Sequence, residues 1–303
     1  MTVFHQHEDS HTHEAPTFNK AFLVSIVANG LFVICQVIFA YIANSTSLLA
    51  DAVHNLGDVL SLILAWIATR LMKRNPTIRS TYGMKKTSIL AALANGVLLV
   101  FTCGIIVTEA AYKFFSPSEI HAVSVMIVAA IGILVNGTTA VLFLRGSDDL
   151  NIRSAFLHLL YDALISFGVV VSAAIIYFTN WLWVDPIMGL LIAVIILKGT
   201  WSLFTDSFRL IIDGVPRGIS ITKVQELLSK QPGVKGIHDL HVWALSTQEN
   251  AISAHLWMPD EPITDDARHQ LSKILHDEHN IHHMTIQVER SEGHCHDACV
   301  PYI

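Results

Sequence analysis

Six apolar runs, at about residues 20–43, 46–70, 88–114, 119–144, 153–179 and 182–205, fill most of the first two thirds of this sequence. A helix rises about 1.5 Å per residue, so roughly 20 apolar residues cross the ~30 Å hydrocarbon core of a bilayer. Six such runs in succession predict a bundle of six transmembrane helices. Composition agrees with that reading: of 303 residues, 52% are hydrophobic and 15% are charged, whereas soluble domains carry about 25% charged residues. The mean hydropathy is +0.50.

The loops set an orientation. Arg70, Lys73, Arg74, Arg79, Lys85 and Lys86 lie between the second and third runs, and Arg145 and Arg153 between the fourth and fifth. The other three connections contain no Lys or Arg. Positive charge stays on the cytoplasmic side, so both termini are expected in the cytoplasm and the protein in the cytoplasmic (inner) membrane. The polar, acidic opening "MTVFHQHEDSHTHEAP" does not read as a signal peptide. A net charge of −6 without a basic stripe excludes nucleic acid as a partner.

Against this background the second run is odd. "SLLADAVHNLGDVLSLILAW" holds Asp51, His54, Asn55 and Asp58 inside an apolar span. The fifth run repeats the anomaly with His158 and Asp162. Residues four apart share one helix face, and the two runs are antiparallel, so two imidazoles and two carboxylates can face one another. A charged Asp at the bilayer centre costs about 2.5–3.5 kcal/mol on insertion scales, which a shared cation or proton offsets. Two nitrogens and two carboxylate oxygens suit tetrahedral Zn²⁺. The plainer alternative is a His–Asp hydrogen bond that locks each helix on its own. Asp51, one turn before His54, is an accessory candidate. Asn29, Asn95 and Asn136 read as interhelical hydrogen-bonding groups.

Beyond about residue 214 the chain changes character. Pro216 and Gly218 punctuate a boundary, "ISITKVQELLSKQ" has helical spacing, and "VKGIHDLHVWALS" and "NAISAHLWMP" alternate like paired strands. "DDARHQLSKILHDEH" reads as an amphipathic helix and "HHMTIQVER" as a third strand. The order αββαβ predicts a small α+β domain with a thin core that self-association would help. The expected organisation is a His-rich N-terminal tail (1–19), a six-helix transmembrane domain (20–213), a cytoplasmic α+β domain (214–290) and a Cys/His tail (291–303). That last tail, "EGHCHDAC", offers His294, Cys295, His296 and Cys299 as a soft-metal clip. His5, His7, His11 and His13 form a second metal-collecting tract. Cys35 and Cys103, in apolar runs, read as small core residues.

The segments "STSLLADAVHNLGD", "YGMKKTSILAALANG", "HLLYDALISFGVVVSA", "VDPIMGLLIA" and "GVKGIHDLHVWALS" resemble the cation diffusion facilitator family of proton-coupled zinc exporters. The resemblance runs from about residue 20 to 290 and its most specific part is the pair of HxxxD motifs. It implies six transmembrane helices, a cytoplasmic metallochaperone-like domain and a homodimer, with His54, Asp58, His158 and Asp162 as the transport site. It also implies that His238, His255, His282 and Glu289 are cytoplasmic metal ligands, and that Lys86 and Asp213 form an inter-helix charge contact. Alternating strands allow His238 and His255 to face one another. A metal site that some relatives carry between the second and third helices is not expected, because "RLMKRNPTIRSTYGMKK" contains no His, Asp, Glu or Cys.

The function expected is zinc export in exchange for protons, with Cd²⁺ and Co²⁺ as alternative cargo. Histidine suits the exchange, since its ordinary pKa of about 6.5 lies near working pH. An intramembrane zinc hydrolase would need an open metal position; four protein ligands leave none, so no enzyme is expected. A membrane-anchored metal sensor would not need paired ligands inside its anchor.

Overall fold

The computed structural model describes residues 20–144, 150–260 and 262–291, excepting the side chains of 20–26, 28, 139, 141–144 and 150–158. Six long helices come first: α1 (Lys20–Ile42), α2 (Thr46–Met72), α3 (Thr87–Phe115), α4 (Ala122–Leu144), α5 (Leu150–Thr179) and α6 (Val184–Ile211). Thr46–Met72, Thr87–Phe115, Leu159–Thr179 and Val184–Ile211 are long and apolar enough to cross a membrane. Asn29–Ile42 and Ala122–Thr138 are shorter apolar stretches of α1 and α4. The chain is a multi-pass helical membrane protein.

α2 is the centre of the bundle, packed against α1, α3, α5 and α6. Its start is fixed from within and from a distant helix. Ser45 adopts extended φ and ψ and its side chain accepts from the Leu48 amide, a standard helix N-cap. Asp185, in the first turn of α6 and only 1% exposed, accepts from Ser45 Oγ, the Thr46 amide and Ser47 Oγ, each at 2.6 Å. The first amides of a helix lack intrahelical partners and its dipole favours negative charge there. One buried carboxylate supplies both needs. Asp185→Ala should destabilise the bundle by about 3 kcal/mol, because it strands buried donors. Thermal unfolding in detergent checks this, with Asp185→Asn recovering part of the loss. An unchanged midpoint would show that the cap is dispensable.

Small residues let other helices approach. A Cβ at Gly96 of α3 would lie 3.2 Å from Phe204 Cα of α6, and one at Gly189 of α6 would lie 2.8 Å from Thr46 Cγ2. Such close seams are how helices associate in lipid.

The C-terminal domain follows as α7 (Ile221–Ser229), β1 (Gly236–Ala244), β2 (Asn250–Trp257), α8 (Asp265–His279) and β3 (Ile281–Glu289). The sheet order is β1-β2-β3, with β1 antiparallel to β2 and β2 parallel to β3. Ile252, Ala254 and Leu256 of β2 enter a core with Leu228, Leu271 and Leu275, while Ser253, His255 and Trp257 alternate onto the other face. α8 starts at Thr264, whose side chain accepts from the Ala267 amide, and stops at Asn280 in the left-handed region.

The β1–β2 turn reaches the membrane domain. The Thr247 amide donates to Ser88 Oγ of α3 at 3.1 Å, and Lys85 pairs with Glu249. Lys86 and Asp213 also meet, Nζ to Oδ1, at 2.5 Å. Both of those side chains are largely exposed, so that pair by itself contributes under about 1 kcal/mol.

Candidate metal centres

The membrane centre is built by two helices. α2 places His54 and Asp58 one turn apart, and α5 brings Asp162 up to them. His54 Nε2 lies 3.0 Å from Asp162 Oδ1. One ligand atom from each of His54, Asp58 and Asp162 falls within 4.8 Å of the others, which is metal-binding spacing. The His54 bond crosses between helices; it does not staple α2 to itself. His158 stands four residues before Asp162 on α5, so the two share a helix face; its side chain lies outside those described.

Asp51 is placed differently. It is fully buried, and its Oδ2 accepts from Gln36 Nε2 at 2.6 Å and Ser166 Oγ at 3.0 Å. Asn55 Nδ2 donates in turn to Gln36 Oε1 at 3.1 Å. The carboxylate therefore ties α2 to α1 and α5 and is not among the metal-capable groups formed by the described residues. Ser166, which completes this network, carries no sequence signal beyond being polar in an apolar run.

Two adjoining cavities lie between the centre and the β1–β2 turn. The first, about 690 Å³, is lined by His54, Asp58 and Asp162 together with Ser61, Asn95 and Thr200. The second, about 430 Å³, runs between α2 and α3 past Ser88 to Thr247 and Gln248 of the β1–β2 turn. Ser61, Asn95 and Leu203 line both. These three residues stand where the two cavities adjoin.

A second metal-capable group lies on the open face of the sheet. His238 and His255 are cross-strand partners with ring centroids 5.2 Å apart. Glu289 joins them, Oε2 at 3.1 Å from His238 Nε2 and Oε1 at 3.0 Å from His255 Nδ1. Glu289 Oε2 is buried, and beyond the His238 ring it has no hydrogen-bond partner. A buried oxygen with an unused lone pair beside two imidazoles is a donor set that fits Zn²⁺.

His282 does not join this group. It sits at the far end of β3, where its Nδ1 accepts from the Asn250 amide at 3.4 Å and its ring meets His276 at 5.0 Å. Seven residues of strand, roughly 23 Å, separate it from Glu289.

Asp239 is the residue that sequence reasoning missed. β1 bulges between His238 and His241, and Asp239 takes φ 52° there, a conformation that Asp tolerates better than most residues. The bulge aims its Oδ2 to 3.4 Å from His255 Nε2. The hydrogen bond from His241, assisted by the charge of the nearby histidines, holds its carboxyl below the usual carboxylate range. Cys295, Cys299 and the N-terminal histidines lie outside the described residues.

Fold and centres together define a class: a multi-pass membrane protein with a metal-capable His/Asp group inside its bundle and a second such group in an appended α+β domain. Residues 22–212 match the family described as the cation efflux transmembrane domain, and residues 216–291 match the cation efflux protein cytoplasmic domain. The chain belongs to the cation diffusion facilitator family of metal efflux transporters. It is 33% identical over 295 residues to the cadmium, cobalt and zinc/H(+)-K(+) antiporter of Bacillus subtilis, covering 96% of this chain and 94% of that one. It is 32% identical over 302 residues to the zinc transporter ZitB of Escherichia coli, covering 98% and 96% respectively. The metal-bound C-terminal domain of the CzcD transporter from Cuprividus metallidurans aligns over 23% of this chain and 99% of its own, at 32% identity and a TM-score of 0.21.

Proposed function

We propose that this protein exports Zn²⁺ from the cytoplasm in exchange for protons, holding the ion between His54, Asp58, His158 and Asp162. The observation that carries this reading is the meeting of His54, Asp58 and Asp162 from two different helices within the bundle. The relatives support the cargo, since their names specify zinc, and in one case cadmium and cobalt, with protons and potassium as counter-ions.

Metal ligands must be deprotonated, so zinc entering from the cytoplasmic side displaces protons from the site. Rocking of the bundle then turns the site outward, where incoming protons compete the metal off. In this reading all six long helices span the inner membrane, with residues 1–19 and 214–303 in the cytoplasm. The α+β domain pairs two copies as a homodimer, and the protein catalyses no reaction. Reconstituted vesicles with an internal zinc dye test it. An imposed pH gradient should drive zinc uptake, and reversing the gradient should reverse the flow. Zinc movement indifferent to the gradient would refute proton exchange.

The cytoplasmic centre is a resident zinc site held by His238, His255 and Glu289, with Asp239 alongside. His255→Ala should remove about one zinc equivalent per chain from the purified protein, whereas His282→Ala should leave the count unchanged. Metal analysis after gel filtration decides; equal losses would return His282 to the ligand set.

A further inference from the structure

The neck between the two cavities contains an unexplained group. Asn95 of α3 is 4% exposed, and its Nδ2 donates to Ser61 Oγ of α2 at 2.6 Å. Ser61 in turn donates its hydroxyl proton to the Gly57 carbonyl at 2.7 Å. Because that proton is used, the group facing Ser61 must be a donor, which fixes the Asn95 amide with its NH₂ towards Ser61. The Asn95 carbonyl oxygen is left buried without a partner. An unpaired buried acceptor is unfavourable and calls for an explanation. Helix packing alone does not need it, since the α2–α3 bond uses only the NH₂ end.

Position supplies the explanation. Asn95 and Ser61 line both the cavity that contains the metal centre and the one that runs to the β1–β2 turn. Ser61 lies three residues after Asp58, on the same helix face. A cation travelling from the junction to Asp58 passes these two side chains first. Resting on the proposed transport reading, we infer that Asn95 and Ser61 form a staging site, where a partly hydrated divalent cation is taken up by neutral oxygens before Asp58 and His54 bind it. Neutral amide and hydroxyl oxygens suit this task. They replace waters of a hydrated cation, yet hold it weakly enough to pass it on to a charged site. A carboxylate at this position would trap the ion.

Steady-state zinc flux into proteoliposomes, measured against cytoplasmic-side zinc concentration, tests the assignment. Asn95→Leu keeps the volume but removes the oxygen, and should raise KM roughly fivefold or more with the maximal rate within about twofold. Asn95→Asp restores an oxygen and should bring KM back to the parent value or below, with a slower maximal rate. Ser61→Ala, the mildest change, should raise KM in the same direction, which keeps the test open if the leucine variant folds poorly. Unchanged KM in both Asn95→Leu and Ser61→Ala, or an equal rise in Asn95→Leu and Asn95→Asp, would overturn the staging site. A parent protein that moves no zinc would refute the transport reading itself.

Discussion

Alanine at His54, Asp58, His158 or Asp162, one position at a time, is expected to cut zinc flux by about a hundredfold or more while expression and oligomeric state survive. Even partners that merely orient metal ligands are worth roughly 10–100-fold, and each of these changes removes a ligand itself. The fold should tolerate them. His54 and Asp58 are half-buried beside a cavity, so truncation enlarges an existing space and does not open a void in a packed core. Asp162 is 3% exposed but lines the same cavity, so water can take its place beside His54. Flux assays in vesicles, normalised to reconstituted protein, give the result. Parent-like transport by any two of the four would contradict the assignment.

The second large effect concerns cargo. His54→Asp should move preference from Zn²⁺ towards Cd²⁺ or Mn²⁺ by about tenfold or more in the transport ratio, the scale of one lost ligand contact. The change turns the site into one with three carboxylates, richer in hard oxygen. It also shortens the side chain that now reaches Asp162 at 3.0 Å, leaving room for a larger ion in a looser geometry. Zinc loses an imidazole nitrogen at about 2.0–2.1 Å and the tight tetrahedron it favours. Zinc and cadmium flux measured side by side would show this. An unchanged ratio would mean that His54 does not contact the ion during selection.

Much of the membrane centre was legible because lipid makes polar residues conspicuous. His54, Asp58 and Asp162 stand in runs where every charge is unfavourable, and a spacing of four puts His54 with Asp58 on one face of α2 and His158 with Asp162 on one face of α5. The same logic singled out Asp51 but could not say what it binds. Its partners Gln36 and Ser166 lie on two other helices, and nothing local encodes that meeting. Asp185 was hidden for the same reason: it caps α2 from about 140 residues away. In the soluble domain the alternation of β2 foretold that His238 and His255 could face one another, and they do so. His282, which the family resemblance grouped with these residues, lies at the opposite end of β3 from Glu289, a distance that the resemblance does not carry. Asp239 was unreadable because a bulge breaks the alternation of β1, and a bulge leaves little mark in sequence beyond an Asp that tolerates positive φ.

Zinc K-edge X-ray absorption tests the central claim most directly. The sample is protein loaded with one zinc equivalent, lacking residues 1–19 and 292–303 and carrying His238→Ala and His255→Ala, so that the membrane centre is the remaining candidate. The account predicts a first shell of four nitrogen and oxygen atoms at about 2.0 Å, with scattering from two imidazoles. That signal should disappear in the same protein with Asp162→Ala. A sulfur shell near 2.3 Å, or a spectrum indifferent to Asp162, would place the ion elsewhere and contradict the account.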